Sequence, residues 1–209
     1  MTEAVQGRIW DRWAAGYAKR PVADEAAYQK KLELTRALFA PDMDVLEFGC
    51  GTGSTALYHA PHVREITAID VSPKMIKIAQ SKAAEAQVEN VRFEASGVTA
   101  FTPQAGGYDV VLGLSILHLL PNRDEVIRKV VGMLKPGGRF VSSTICLKDG
   151  LWFFWPVLAV GRALGYLPSV HFFSEKNLVG AMRDAGLEFE TNWRPGPRAA
   201  VFIIARKPG

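Results

Sequence analysis

Residues 47–53 read Glu-Phe-Gly-Cys-Gly-Thr-Gly, and few stretches of the 209-residue chain are as suggestive chemically. Glycines at 49, 51 and 53 let the backbone turn tightly and let a ligand approach without meeting a Cβ. The amides of the helix start that follows, at STALYHA, favour a polar or anionic group. The spacing is G-x-G-x-G, with Ser54 standing where the dinucleotide fingerprint G-x-G-x-x-G has its third glycine. Glu47, two residues before the first glycine, suits a cationic or amino-bearing ligand and not a pyrophosphate. Asp70 closes the next apolar run, 17 residues after Gly53, where a carboxylate can accept both hydroxyls of a ribose. Together these residues predict a nucleoside with a positive, phosphate-free tail.

Histidine supplies the candidate bases. His118, in ILHLL, is the best placed, and His171, beside Phe172 and Phe173, is the second; both can equally serve as packed, hydrogen-bonded residues. His59 and His62 are expected at the surface. Cys50 and Cys146 have no CxxC partner and are expected to be structural, not nucleophilic. No HExxH, cysteine pair or clustered carboxylates predict a metal. The run LWFFWPVLAVGRALGYL (151–167) is shorter than the roughly 20 residues a membrane helix needs and is interrupted by Pro156 and Arg162. Seven of the 21 aromatic residues fall within 151–173. That density predicts a lid, with Trp152, Phe153, Phe154, Trp155, Phe172 and Phe173 lining an apolar acceptor pocket.

Alternating strand and helix signals position these residues. DVLEFG (44–49), EITAID (65–70), VRFEA (91–95), YDVVLGL (108–114) and RFVSSTI (139–145) read as strands. SPKMIKIAQSKAAEAQ (72–87) starts a helix with Ser72 as cap and Pro73 at the first position. DEVIRKVVGML (124–134) is a second helix, ended by a KPGG turn. SEKNLVGAMRDAG (174–186) is a third, and residues 24–40 form one before the first strand. LEFETNW and AAVFIIAR, joined by RPGPR, are expected to pair as a hairpin. The fold class is therefore α/β: a Rossmann-like, doubly wound, mostly parallel seven-stranded sheet with a C-terminal antiparallel hairpin and helices on both faces.

Charge and composition narrow the partners. A net charge of +4 and 22% charged residues, without a basic block, speak against nucleic acid. Two cysteines and an N-terminus without a secretory pattern point to the cytoplasm, with no stable membrane insertion. The chain is expected to be a monomer or homodimer.

VLEFGCGTG, AIDVSPKMI, YDVVLGLSILHLL and LKPGGRF, in this order and spacing, resemble the successive motifs of class I S-adenosylmethionine (SAM)-dependent methyltransferases. Small bacterial enzymes of the ubiquinone and menaquinone pathways are the most similar kind. The resemblance implies SAM as cofactor, S-adenosylhomocysteine (SAH) as product, and a single domain. Its parts would be an N-terminal helical cap (1–42), a SAM-binding core (43–145), the lid (146–173) and a C-terminal helix and hairpin (174–209). Gly49, Cys50, Gly51 and Gly53 would floor the methionine part, with Glu47 orienting the loop and Asp70 holding the ribose. Val71 and Met75 would pack on adenine, Leu114 and Ser115 would lie beside the methionine tail, and Tyr17 would fold over the cofactor. Relatives commonly carry an Asp after the third strand that recognises the adenine amino group; here Gly97 stands there. Ser96 and Val98 could offer a hydroxyl and an amide, but a charge-assisted bond worth roughly 1.5–3 kcal/mol is missing. The reading is methyl transfer to a small, apolar or aromatic acceptor. Its rivals are a non-catalytic SAM- or nucleoside-binding protein and an NAD(P)-dependent oxidoreductase. A macromolecular acceptor lacks support, because SILH stands where an NPPY-like tetrapeptide would be.

Overall fold

The computed structural model describes residues 3–150 and 167–209. Trp152, Phe153, Phe154 and Trp155 therefore lie outside the described residues. The chain divides into two compact units, Thr2–Thr102 and Pro103–Gly209.

The first unit opens with α1 (Glu3–Tyr17) and α2 (Glu25–Arg36). Asp24 caps α2, its carboxylate accepting from the Ala27 amide at 3.0 Å. Three parallel strands follow: β1 (Asp44–Phe48), β2 (Glu65–Asp70) and β3 (Val91–Ala95). β1 is buried along its whole length, its two acids Asp44 and Glu47 included, whereas β3 is largely exposed at the sheet edge. Between the strands lie α3 (Ser54–His59) and α4 (Pro73–Glu85). Ser72 caps α4 through the Met75 amide at 3.2 Å, with Pro73 opening the helix where its missing N–H is harmless. α4 packs on β2 and β3, and α1 packs on α4. Val45, Leu46, Phe48, Ile66, Ile69 and Met75 form the core here.

The second unit contains β4 (Tyr108–Leu114), α5 (Arg123–Met133), β5 (Leu134–Thr144), α6 (Glu175–Asp184), β6 (Glu188–Trp193) and β7 (Val201–Arg206). β4 and β5 are parallel, while β7 runs antiparallel to both β5 and β6. Ser174 and Asn177 form a reciprocal capping box at α6. The seven strands run in the order β3-β2-β1 in the first unit and β4-β5-β7-β6 in the second, mostly parallel with the expected antiparallel hairpin at the end.

Two expectations need correcting. The KPGG stretch is not a free turn between helix and strand. β5 begins at Leu134, paired with Tyr108, and pairing resumes at Arg139 with Val110, so residues 135–138 bulge within the strand, with Gly137 at φ +77°. α1 lies within the segment 1–42 expected as a helical cap, in which sequence reading delimited only the helix at 24–40. His59 is not at the surface but fully buried, edge-on to Phe39 and Tyr58, with neither ring nitrogen hydrogen-bonded among the described residues. Burial lowers its pKa to about 4, aided by His62 and Arg36, so the ring is kept neutral. No helix among the described residues is long and apolar enough to cross a membrane.

Candidate cofactor site

The carboxyl ends of β1, β2 and β3 carry most of the predicted ligand-binding residues. Glu47 lies on β1, 3% exposed. Its carboxyl accepts from the Ala56 amide, and Oε2 has no hydrogen-bond partner among the described residues. Burial first, then the charge of Asp70, raise its pKa to about 8 against the effect of the Ala56 amide. The loop beyond it holds Gly49, Gly51 and Gly53 at φ +67°, +54° and +75°, all left-handed conformations that glycine adopts without strain.

These glycines serve different ends. A Cβ on Gly53 would strike Ala79 Cβ and the Phe93 ring at 2.8 Å, so that position is glycine for packing. A Cβ on Gly51 would find only Tyr17 Cε1, at 3.8 Å, so the space above that residue is open to a ligand. The loop is pinned by Cys50 N–H to the Ile69 carbonyl at 3.0 Å and by Gly51 N–H to Asp70 Oδ2 at 2.9 Å. From α4, Lys82 Nζ donates to Thr52 and Ser54 hydroxyls at 3.0 and 3.1 Å. Cys50 is a buried free thiol, raised well above its ordinary pKa by burial and by the charges of Glu47 and Asp70.

Asp70 ends β2, buried, with Oδ1 accepting from Ser72 N–H at 2.8 Å. Burial raises its pKa, the two amides lower it, and Asp11 raises it again. Each carboxylate oxygen keeps a second lone pair, enough to take the two hydroxyls of a ribose. Val71 is half-buried and Met75 is fully buried beneath it at the start of α4. Asp70 pairs in register with Ala95, and Ser96 N–H donates to the Asp70 carbonyl at 3.0 Å. Residues 96–98 therefore leave β3 next to the backbone of Asp70, with Gly97 and Val98 buried.

α1 reaches these loops through Gly7 and Asp11, which sequence reading passed over, and through Tyr17, which it named. Asp11 Oδ1 accepts from Ser72 Oγ at 2.6 Å and from Lys74 N–H at 3.0 Å. Gly7 touches the Val71 carbonyl so closely that a Cβ would lie 2.5 Å from the oxygen. Tyr17, at the end of α1, packs edge-on to Trp10 and lines an open cavity of about 250 Å³ with Arg12, Trp13, Gly16 and Arg20. Burial raises its pKa, as does Asp70, while Arg20 lowers it. Tyr28 was also missed; its hydroxyl bonds Thr55, and the charge of Glu47 reaches it. Nothing in the spacing of these residues marks them, because each meets its partner across the fold.

In the second unit, Leu114 and Ser115 close β4. Ser115 is held at φ +58°, with its N–H donating to the Ser143 carbonyl at 2.6 Å. A non-glycine residue in that region is strained and is held there by its surroundings. His118 and His171 are brought together: His171 N–H donates to the His118 carbonyl at 2.8 Å. His118 Nδ1 lies 3.3 Å from Thr144 Oγ1, and burial lowers the ring pKa to about 4. Phe172 is half-buried, and Phe173 is buried with the Arg123 guanidinium 4.1 Å above its ring. Cys146 is a buried thiol pushed up to about 12, mainly by burial. Among the described residues no group of His, Cys, Asp and Glu could hold a metal ion.

Residues 45–138 match the family described as "Methyltransferase domain". The ubiquinone biosynthesis O-methyltransferase of Bordetella avium (strain 197N) is 32% identical over 150 residues, covering 69% of this chain and 61% of that protein. The protein of the same name from Xanthomonas axonopodis pv. citri (strain 306) is 29% identical over 194 residues, covering 90% and 78%. The N-methyltransferase NodS of Bradyrhizobium japonicum WM9, solved in complex with SAH, superposes with a TM-score of 0.73 at 19% identity, covering 98% and 99%; that likeness is one of fold. The chain thus spans less than two thirds of the Bordetella relative's length.

Residues 45–138 are similar to the methyltransferase domain, and the group to set against the site is SAM. The site fits that group. Glu47 offers a buried, unpartnered oxygen, Asp70 offers paired acceptors, and Gly51 leaves room above the loop. Two buried acids on adjacent strand ends suit a cationic tail and oppose a pyrophosphate.

Proposed function

We propose that the chain transfers the methyl group of SAM to a small, apolar or aromatic acceptor. The observation that carries the reading is the pair of buried acids, Glu47 and Asp70, flanking the open face of Gly51. Bound SAM supplies a methyl on a sulfonium, whose departure leaves a neutral thioether, so no leaving anion needs stabilising. Asp70 holds the ribose, Val71 and Met75 take the base, and Tyr17 covers the open loop. Holding the acceptor nucleophile in line supplies roughly 7–11 kcal/mol, which makes positioning the main contribution of the protein. His118, neutral at physiological pH and oriented by Thr144, accepts a proton only from an acceptor acidic enough to give one up.

The acceptor class rests on the aromatic-rich run 151–173 and on relatives whose printed names refer to ubiquinone biosynthesis. Incubation with methyl-labelled SAM and a panel of phenols, amines and thiols of graded hydrophobicity tests it, with mass spectrometry of the product. Label is expected in an apolar aromatic acceptor. Label only in polar or macromolecular acceptors contradicts the acceptor class, and SAM binding without transfer supports the non-catalytic rival.

A further inference from the structure

α1 places Glu3, Gly7 and Asp11 at i, i+4 and i+8, one above another on a single helix face. Each meets a different point on the loops beyond the strands. Gly7 and Asp11 lie on the loop after β2, against Val71, Ser72 and Lys74. Glu3 lies on the loop after β3, where Thr99 N–H donates to its Oε1 at 3.3 Å. A Cβ built on Gly97 would fall inside the Glu3 carboxyl group, 2.5 Å from Oε1, and its three nearest atoms would all belong to Glu3. The carboxylate from α1 thus occupies the place where a side chain at position 97 would begin.

We infer that Glu3 supplies the carboxylate that recognises the adenine amino group, in place of the side chain that Gly97 lacks. The inference rests on the SAM reading. A ribose held by Asp70 can direct its base toward the neighbouring strand end, where Ser96 N–H is bonded to the Asp70 backbone carbonyl. The exocyclic amino group of adenine carries two N–H donors, and a carboxylate accepts from it while repelling the carbonyl that replaces it in hypoxanthine. With Oε1 taking the Thr99 amide, Oε2 is available to the base. Glycine at 97 is then required, since any side chain would displace the Glu3 carboxylate. The N-terminal helix becomes a specificity element as well as a cover.

The test is calorimetric titration of the full chain with SAH and with S-inosylhomocysteine, which has a carbonyl in place of the amino group. Wild type is expected to prefer SAH. Glu3→Ala is expected to lose about ten- to hundredfold in SAH affinity, the value of a charge-assisted hydrogen bond, and most of that preference. Glu3→Gln, whose amide can donate to the hypoxanthine carbonyl, is expected to shift the preference toward the inosine analogue. Adding Gly97→Asp to Glu3→Ala returns a carboxylate through the space just opened, and the preference for SAH is expected to return. The inference is overturned if Glu3→Ala keeps the wild-type preference, if it weakens both ligands equally as a helix tether would, or if the folded double variant fails to regain it. A wild type that binds neither ligand overturns the SAM reading, and this inference with it.

Discussion

Replacing Glu47 by glutamine keeps the size of the buried side chain and removes its titration. Burial, with the charge of Asp70, lifts this carboxyl from 4.5 to about 8. Below 4.5 it is protonated in folded and unfolded chains alike; between 4.5 and 8 only the folded chain retains the proton. Its contribution to stability is therefore fully present below the unfolded value and is lost as pH rises through the folded one. At about 1.36 kcal/mol per pH unit, the whole interval is worth up to roughly 5 kcal/mol. His59 and His118 act in the opposite sense. Their values fall from 6.5 to about 4, so their contribution is present above 6.5 and is lost as pH falls. Between pH 6.5 and 8 both histidines are neutral in the folded chain, and the partial protonation they keep when unfolded near pH 6.5 is common to both proteins and cancels between them, so the Glu47 effect over that window is about 2 kcal/mol. Urea denaturation of the ligand-free protein at these two pH values measures it. Wild type is expected to lose about 2 kcal/mol relative to Glu47→Gln on going from pH 6.5 to 8. Parallel behaviour of the two proteins refutes the reasoning. The same linkage makes SAM binding near pH 7 release a proton in wild type and not in the variant, read by calorimetry in buffers of different ionisation enthalpy.

Gly53→Ala is expected to destabilise the protein by about 2–4 kcal/mol, because it combines a left-handed φ with contact on Ala79 and Phe93. Gly51→Ala meets only the backbone cost, about 1 kcal/mol, yet places a methyl on the ligand side and weakens SAH binding; urea melts and titrations separate the two effects. His118, at about 4, is expected to give no inflection in the rate between pH 6 and 8, and an inflection there that His118→Gln removes contradicts its assigned environment. Trp152→Ala with Trp155→Ala is expected to raise the acceptor KM and leave SAM affinity nearly unchanged; equal loss of both points to folding.

The central strands were legible because they are short apolar runs bounded by turn residues, and the exposed β3 and β6 because they alternate in polarity between turns. Ser72-Pro73 and Ser174 announced their helices through capping chemistry that acts within a few residues. The glycine loop and Asp70 were legible for the same local reason: their spacing along the chain fixes their place at strand ends. What escaped was contact at long range. Glu3 lies 94 positions from the glycine it fills, and Asp11 lies 61 from the serine it binds, so no window of sequence contains both partners. His59 was misplaced because two histidines after a short helix look like a polar boundary, whereas the rings of Phe39 and Tyr58 enclose the first of them. The KPGG bulge was read as a stop since proline and glycine end helices locally, while β4 beside it keeps the chain extended.

Calorimetric titration of the wild-type chain with SAH and, separately, with NADH tests most directly whether the acidic, glycine-floored loop takes a sulfonium nucleoside. One equivalent of SAH bound, with no detectable NADH, is the result expected from Glu47 and Asp70. NADH binding in place of SAH, or no binding of SAH, would contradict the account.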